Sequence, residues 1–273
     1  MFALASAVVY GVVDFAGGML ARRVHYAFVA WVGQVGGLLF AFIAALTVPA
    51  ERVALEDLVW GALSGIGSAA TMLFLNRALA RGAMSVVLPI SAVTGVALSV
   101  LCGVLFLAEQ PATPAWLGIV IMLPALWLVS GSSARGGHPD GVRDGLIASV
   151  GVAVQYIGLG LAGQDSGLWA VFAGRVAAVL ALTPVLVMAR NVRSVRTADT
   201  AKALLIGAGA ALGLTLYLLA TREQLLAVAV PLASLYPAIP VLLGVVVLHE
   251  RLTRRRAVGL VAAGIAVVLL SSG

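Results

Sequence analysis

The sequence predicts an all-α integral membrane protein, with ten transmembrane helices arranged as two inverted five-helix repeats. Three observations carry that prediction. Of 273 residues, 62% are hydrophobic and only 10% are Asp, Glu, Lys or Arg, where a soluble domain has roughly 25%. The apolar residues fall in ten continuous runs, each near the length that crosses a bilayer. Finally, a set of residues recurs between the two halves at one fixed offset. A water-soluble enzyme is excluded, because a globule of this length cannot hide so much apolar surface. The runs are continuous and lack a period of two, which argues against a transmembrane β-barrel.

Taken in order, the first run, 2–21, has no basic residue ahead of it and is followed by Arg22 and Arg23. A secretory signal has the reverse arrangement, so this run is expected to remain as a span. The second, 27–48, precedes Arg52, and the third, 58–79, leads to Arg77 and Arg81. The fourth, 84–107, closes at Glu109, and the fifth, 114–132, enters a polar stretch holding Gly136, Gly137, His138, Pro139 and Asp140. The sixth, seventh and eighth runs cover 144–163, 168–189 and 201–220. The ninth, 227–248, closes at Glu250, and the tenth covers 256–272. The polar stretch is the longest connection and falls mid-chain. It divides a first repeat, 1–132, from a second, 144–273, with 133–143 as the linker.

An offset of 141 superimposes Gly33-Gln34-Val35 on Gly174-Arg175-Val176 and Asp14-Phe15 on Gln155-Tyr156. The same shift aligns Gly103 with Gly244, Leu107 with Leu248, Glu109 with Glu250 and Gly118 with Gly259. An odd number of spans per repeat forces the second copy to enter the membrane upside down, an arrangement that recurs in secondary transporters.

Basic residues set the orientation. Fourteen of the 17 Lys and Arg lie in the odd-numbered loops, two (Arg52 and Arg222) lie in the even-numbered ones, and Arg175 lies within a span. The odd loops are therefore expected to be cytoplasmic and both termini outside, in a multi-pass protein of the inner (plasma) membrane. The net charge of +6, which in a soluble protein would suggest nucleic acid, reads here as loop charge; no nucleic-acid partner is expected. Cys102 is the one cysteine, so no intrachain disulfide or cysteine metal framework can form.

These residues resemble the EamA type of the drug/metabolite transporter superfamily. Each repeat of that family ends with an acidic residue closing one span and a Gly nine residues later, here Glu109…Gly118 and Glu250…Gly259. The stretch Pro231-Leu-Ala-Ser234-Leu-Tyr236-Pro237 is similar to the family's ninth helix, and Tyr10-Gly11 resembles its usual Trp-Gly. Arg175 stands where the family carries an Arg early in the second span of a repeat, whereas the first half has Gln34 there. Asp14 replaces a position that is usually uncharged, and many relatives place their termini inside. The resemblance implies a transporter built from two five-helix repeats, more commonly an exporter.

Asp14 lies mid-span, where a carboxylate costs about 2.5–3.5 kcal/mol even on the mildest scale, so it should face the bundle interior or a wet cavity. It is a candidate proton carrier, or else an ion-paired residue holding helices together. Arg175, two turns into its span, either snorkels to the nearer surface or acts as an anion clamp or a partner for Asp14. With Gln34 and Gln155 these two form a candidate central polar cluster, walled by Tyr10, Phe15, Tyr156 and Tyr236; packing alone also accounts for each aromatic. Pro231, Pro237 and Pro240 in the ninth span, and Pro89 opening the fourth, free backbone carbonyls that side chains, water or a ligand must satisfy. Ser234, Ser91, Thr94 and Asn76 are nearby polar candidates. Gly33/Gly37, Gly61/Gly65 and Gly209/Gly213 have the GxxxG spacing of close helix packing. Glu109 and Glu250 are expected to cap or bridge at a gate.

No metal-protease, nucleophile-elbow or phosphate-loop motif is present, and His25, His138 and His249 lie far apart. No enzyme activity, cofactor or metal is expected. The leading expectation is a monomeric secondary transporter of a metabolite, amino acid or drug, working by alternating access as one repeat rocks against the other. Protons are the expected coupling ion for export. The alternatives are uptake of a sugar or other metabolite, or a non-transporting membrane enzyme or scaffold.

Overall fold

The computed structural model describes residues 2–81, 113–130, 139–189, 195–223, 238–249 and 253–271, with Val87, Leu88, Ile90, Ser91, Thr94, Gly95 and Leu98 from the fourth run. Nine α-helices lie among the described residues, with no strand. They are α1 (Phe2–Ala21), α2 (Tyr26–Thr47), α3 (Leu55–Arg81), α4 (Thr113–Ser130), α5 (Pro139–Leu161), α6 (Trp169–Met188), α7 (Thr197–Glu223), α8 (Ala238–Leu248) and α9 (Arg254–Ser271). In terms of the apolar runs, α1 to α3 are the first three, α4 the fifth, α5 to α7 the sixth to eighth, α8 the end of the ninth and α9 the tenth.

Five of these helices are long and apolar enough to cross a membrane. A 22-residue helix such as α2 is about 33 Å long, enough to span the roughly 30 Å hydrocarbon layer. The distribution of side chains is that of a protein dissolved in lipid. Val187, Met188 and Leu205 face outward at 79%, 81% and 72% exposure, while Gln34, Asp144, Ser149 and Arg175 are buried. Apolar atoms outside cost nothing in hydrocarbon, and polar atoms turned inward can find one another. The chain is an all-α membrane protein.

Three helices extend by three residues or more past the apolar runs that predict them. α3 starts at Leu55 and ends at Arg81, α7 runs over Thr197–Glu223, and α5 begins at Pro139 inside the expected linker. An apolar run ends where polar residues begin, but a helix continues through them to its cap. Pro139 is suited to a first helical position, where no N–H is needed, and Asp140 favours the positive helix start. At the start of α2, His25 Nδ1 accepts the Ala27 N–H at 3.3 Å, giving that loop histidine a capping role.

The helices interleave across the two halves. α3 packs along α5 and α6, and α7 packs along α1 and α2; α2 also meets α6, and α4 meets α9. These pairings are unchanged when each helix is exchanged for its counterpart in the other half. Glycines allow the closest approaches: a Cβ on Gly65 or Gly61 would fall onto the backbone of α6 at Gly174 or Ala170, and one on Gly207 onto Gly33 of α2. We expect Gly65→Ala to cost about 1–3 kcal/mol, because backbone must move to admit the methyl. Unfolding in detergent checks this, and an unchanged midpoint would contradict it.

One feature breaks the pattern. α1, α2 and α3 touch one another, but their counterparts α5, α6 and α7 make no comparable contact among themselves within the described residues. At the arginine-rich end, Phe15 and Met19 of α1 pack with Leu75 and Leu79 of α3, Leu88 and Leu248. There Arg22 Nε also donates to the Leu79 carbonyl at 3.2 Å.

Candidate functional site

The site is built on the close pairing of α2, α3 and α6. A Cβ on Gly65 or Gly174 would meet backbone across α3 and α6, and one on Gly33 or Gly37 would meet the Met72 or Arg175 side chain. Gln34 is fully buried, Arg175 is 6% exposed and Ser68 is 8% exposed. Arg175 Nη1 donates to Gln34 Oε1 at 2.8 Å and to Ser68 Oγ at 3.2 Å. Gln34 Nε2 in turn donates to Ser68 Oγ at 3.2 Å, to the Ser68 carbonyl at 3.4 Å and to Met72 Sδ at 3.5 Å. The Gln34 amide is thereby oriented, with its oxygen turned toward the guanidinium. The Arg175 stem passes Gly37, where a Cβ would stand 3.4 Å from its Cδ and Nε. Arg175 therefore does not snorkel; it points inward and is held by neutral groups.

Tyr10 of α1 lies against α7, where a Cβ on Gly213 would meet its ring at 2.8 Å. Asp14 is one turn further along α1, so the two share a helix face. Asp14 is half-buried and makes no hydrogen bond or ion pair among the described residues. Gln155 is half-buried on α5, its backbone nitrogen 2.6 Å from where a Cβ on Gly67 would stand. Of the four residues expected in one polar cluster, Gln34 and Arg175 are thus joined directly. Asp14 and Gln155 make no hydrogen bond to that pair among the described residues.

Phe15 packs into the apolar cluster at the arginine-rich end. Tyr156 lies on α5, though its side chain is outside the description. Pro89, Glu109, Pro231, Ser234, Tyr236, Pro237 and Glu250 lie outside the described residues. Asn76 and Ser91 are buried, and two buried atoms near α1 and the fourth run, Asn76 Nδ2 and Thr94 Oγ1, take no hydrogen bond among the described residues. No group of three metal-ligating side chains occurs among the described residues.

The structure also buries a carboxylate that the sequence did not single out, Asp144. Asp144 is 1% exposed and forms a two-pronged ion pair with Arg77, one arm being Arg77 Nε to Asp144 Oδ2 at 2.7 Å. Arg81 approaches the same carboxylate at 3.9 Å, and the Arg77 guanidinium lies 4.9 Å from the Phe74 ring centroid. Asp144 opens the sixth run, where it reads as a boundary residue and not as half of a buried pair. The available signal was Arg77 and Arg81, four apart on one face of α3, with a lone acid opposite on the next half.

The two halves of the chain match one family, described as the EamA-like transporter family, over residues 1–131 and 145–272. Among curated proteins, none matches the chain. The family match spans both five-run halves, one on each side of the linker, and from it we conclude that this multi-pass membrane protein belongs to the EamA-like transporter family, a family of membrane transporters.

Proposed function

We propose that the chain is a secondary transporter that exports a small organic solute by alternating access, with the solute bound beside Gln34, Ser68 and Arg175. The observation that carries this reading is the contact between Gln34 and Arg175. These positions are 141 apart, the offset of the repeat. Two positions exchanged by a two-fold axis can touch only near that axis. In an inverted repeat the axis lies in the membrane plane, so the contact belongs at mid-bilayer, where such transporters bind their solutes. The exchange symmetry of the helix pairings supports the inverted repeat.

Interleaving also bears on how access alternates. α3 and α5 are packed along their length, from Gly158 against Trp60 and Ser64 to Arg77 against Asp144. α1 and α7 are joined likewise, from the hydrogen bond of Ser6 Oγ to the Gly213 carbonyl, at 2.8 Å, to Gly17 against Ile206. Such contacts favour two mixed units, α3 with α5 and α1 with α7, moving as bodies; each unit takes one helix from either repeat. The contacts of α1 with α3 at the arginine-rich end, not matched in extent by the counterpart pair α5 and α7 among the described residues, fit a state closed toward the cytoplasm and open outward.

Asp14 is the coupling residue in this reading, since it lies on the Tyr10 face of α1 without a fixed partner among the described residues. The test compares solutes outside cells making the wild type or Asp14→Asn, at two external pH values. A solute should accumulate outside with the wild type, following the proton gradient, and Asp14→Asn should lose the gradient dependence. Equal movement by both proteins would make Asp14 structural. Accumulation inside would replace export with uptake.

A further inference from the structure

Resting on that reading, we infer that the solute is an organic monoanion whose carboxylate is held by the free edge of the Arg175 guanidinium. Both hydrogen bonds of Arg175 among the described residues leave from one atom, Nη1. Nη2 and Nε make none. Two donors of a rigid planar fork, on a side chain that is 6% exposed, therefore remain without a partner among the described residues. They are fixed in direction, because Gln34 and Ser68 hold the third nitrogen and Gln34 is itself anchored on Ser68 and Met72.

The charge is as unbalanced as the hydrogen bonding. Gln34 and Ser68 are neutral, and Arg175 forms no ion pair among the described residues. Asp144, the fully buried acid, is engaged by Arg77 and Arg81, and Asp14 forms no ion pair among the described residues. A guanidinium taken out of water with neutral partners alone keeps a large desolvation cost, which a bound anion would offset. The fork matches a carboxylate, which can accept two parallel N–H bonds. A phosphate monoester, at about −1.5 to −2, would exceed the one positive charge this cluster supplies. A single carboxylate balances it.

The test profiles the solutes that leave cells making the wild type, Arg175→Lys or Arg175→Gln, with each purified variant checked for a monodisperse peak in detergent. Every solute whose exit depends on the wild-type chain should carry one net negative charge on a carboxylate, and its amide analogue should not be moved. Arg175→Gln should reduce movement by about tenfold or more, the loss expected when a buried polar site cannot pair with its ligand, and Arg175→Lys should retain part. Chain-dependent exit of a neutral, cationic or phosphate-bearing solute overturns the inference and leaves transport standing. So does a monodisperse Arg175→Gln that moves carboxylates at the wild-type rate. If no solute depends on the wild type, the transport reading fails and this inference falls with it. The wild-type profile decides the matter even if the variants do not fold.

Discussion

Asp144→Ala is expected to lower the unfolding free energy by about 2–3 kcal/mol, less than the roughly 3–5 kcal/mol for a fully buried ion pair, because Arg77 is 28% exposed. The cost is high because Arg77 would keep its charge and lose both arms of the bond, while Asp144, at 1% exposure, is replaced by a void. Phe74 covers part of the guanidinium and Arg81 adds a second charge of the same sign, while the 28% exposure of Arg77 lets water recover part of the loss. Replacing both partners, as in Arg77→Leu with Asp144→Leu, should recover most of the loss, because an apolar pair leaves no orphaned charge. Denaturation of the single and double variants in detergent measures the coupling. A loss below about 1 kcal/mol for Asp144→Ala would be the behaviour of a solvated pair and would contradict the burial of this carboxylate.

The second large effect concerns transport. Bridging Arg22→Cys to Leu79→Cys with a short bifunctional thiol reagent, in a Cys102→Ser background, is expected to slow solute movement by an order of magnitude or more. Arg22 Nε already bonds the Leu79 carbonyl, and Phe15, Met19, Leu75 and Leu88 pack around that point. If this cluster closes the cytoplasmic side, a covalent bridge holds α1 to α3 and allows only outward opening. Transport requires both openings, so it should stop, and a cleavable reagent should restore it on reduction. Undiminished transport in the bridged protein would mean that α1 and α3 do not separate at this end during the cycle.

The parts of this protein that were legible from its sequence are those that lipid dictates. Ten apolar runs and a one-sided distribution of arginine follow from dissolving a chain in hydrocarbon, and each of the nine described helices overlaps one of those runs. The Gln34–Arg175 contact was legible for a different reason: two polar residues at the same place in two copies are natural neighbours of a shared axis. Ser68 was not foreseen, because a serine among Gly and Ala residues of α3 reads as a packing residue until its partners are known. Asp144 escaped because it stands at a polar boundary, and only the pairing of α3 with α5 places it opposite Arg77. The interleaving of the repeats was illegible for the same reason. Hydropathy gives each helix its inward face but not which neighbour it will meet.

The central claim is that the cluster of Gln34, Ser68 and Arg175 is reached alternately from the two sides of the membrane. Its most direct test places the one thiol of the protein there, as Ser68→Cys in a Cys102→Ser background, and labels it with a membrane-impermeant reagent in right-side-out and inside-out vesicles. The account predicts labelling from both sides in the free protein, and from the outside alone once α1 is bridged to α3 at Arg22 and Leu79. A folded protein that is labelled from neither side would contradict the account and leave the cluster a structural clasp between helices.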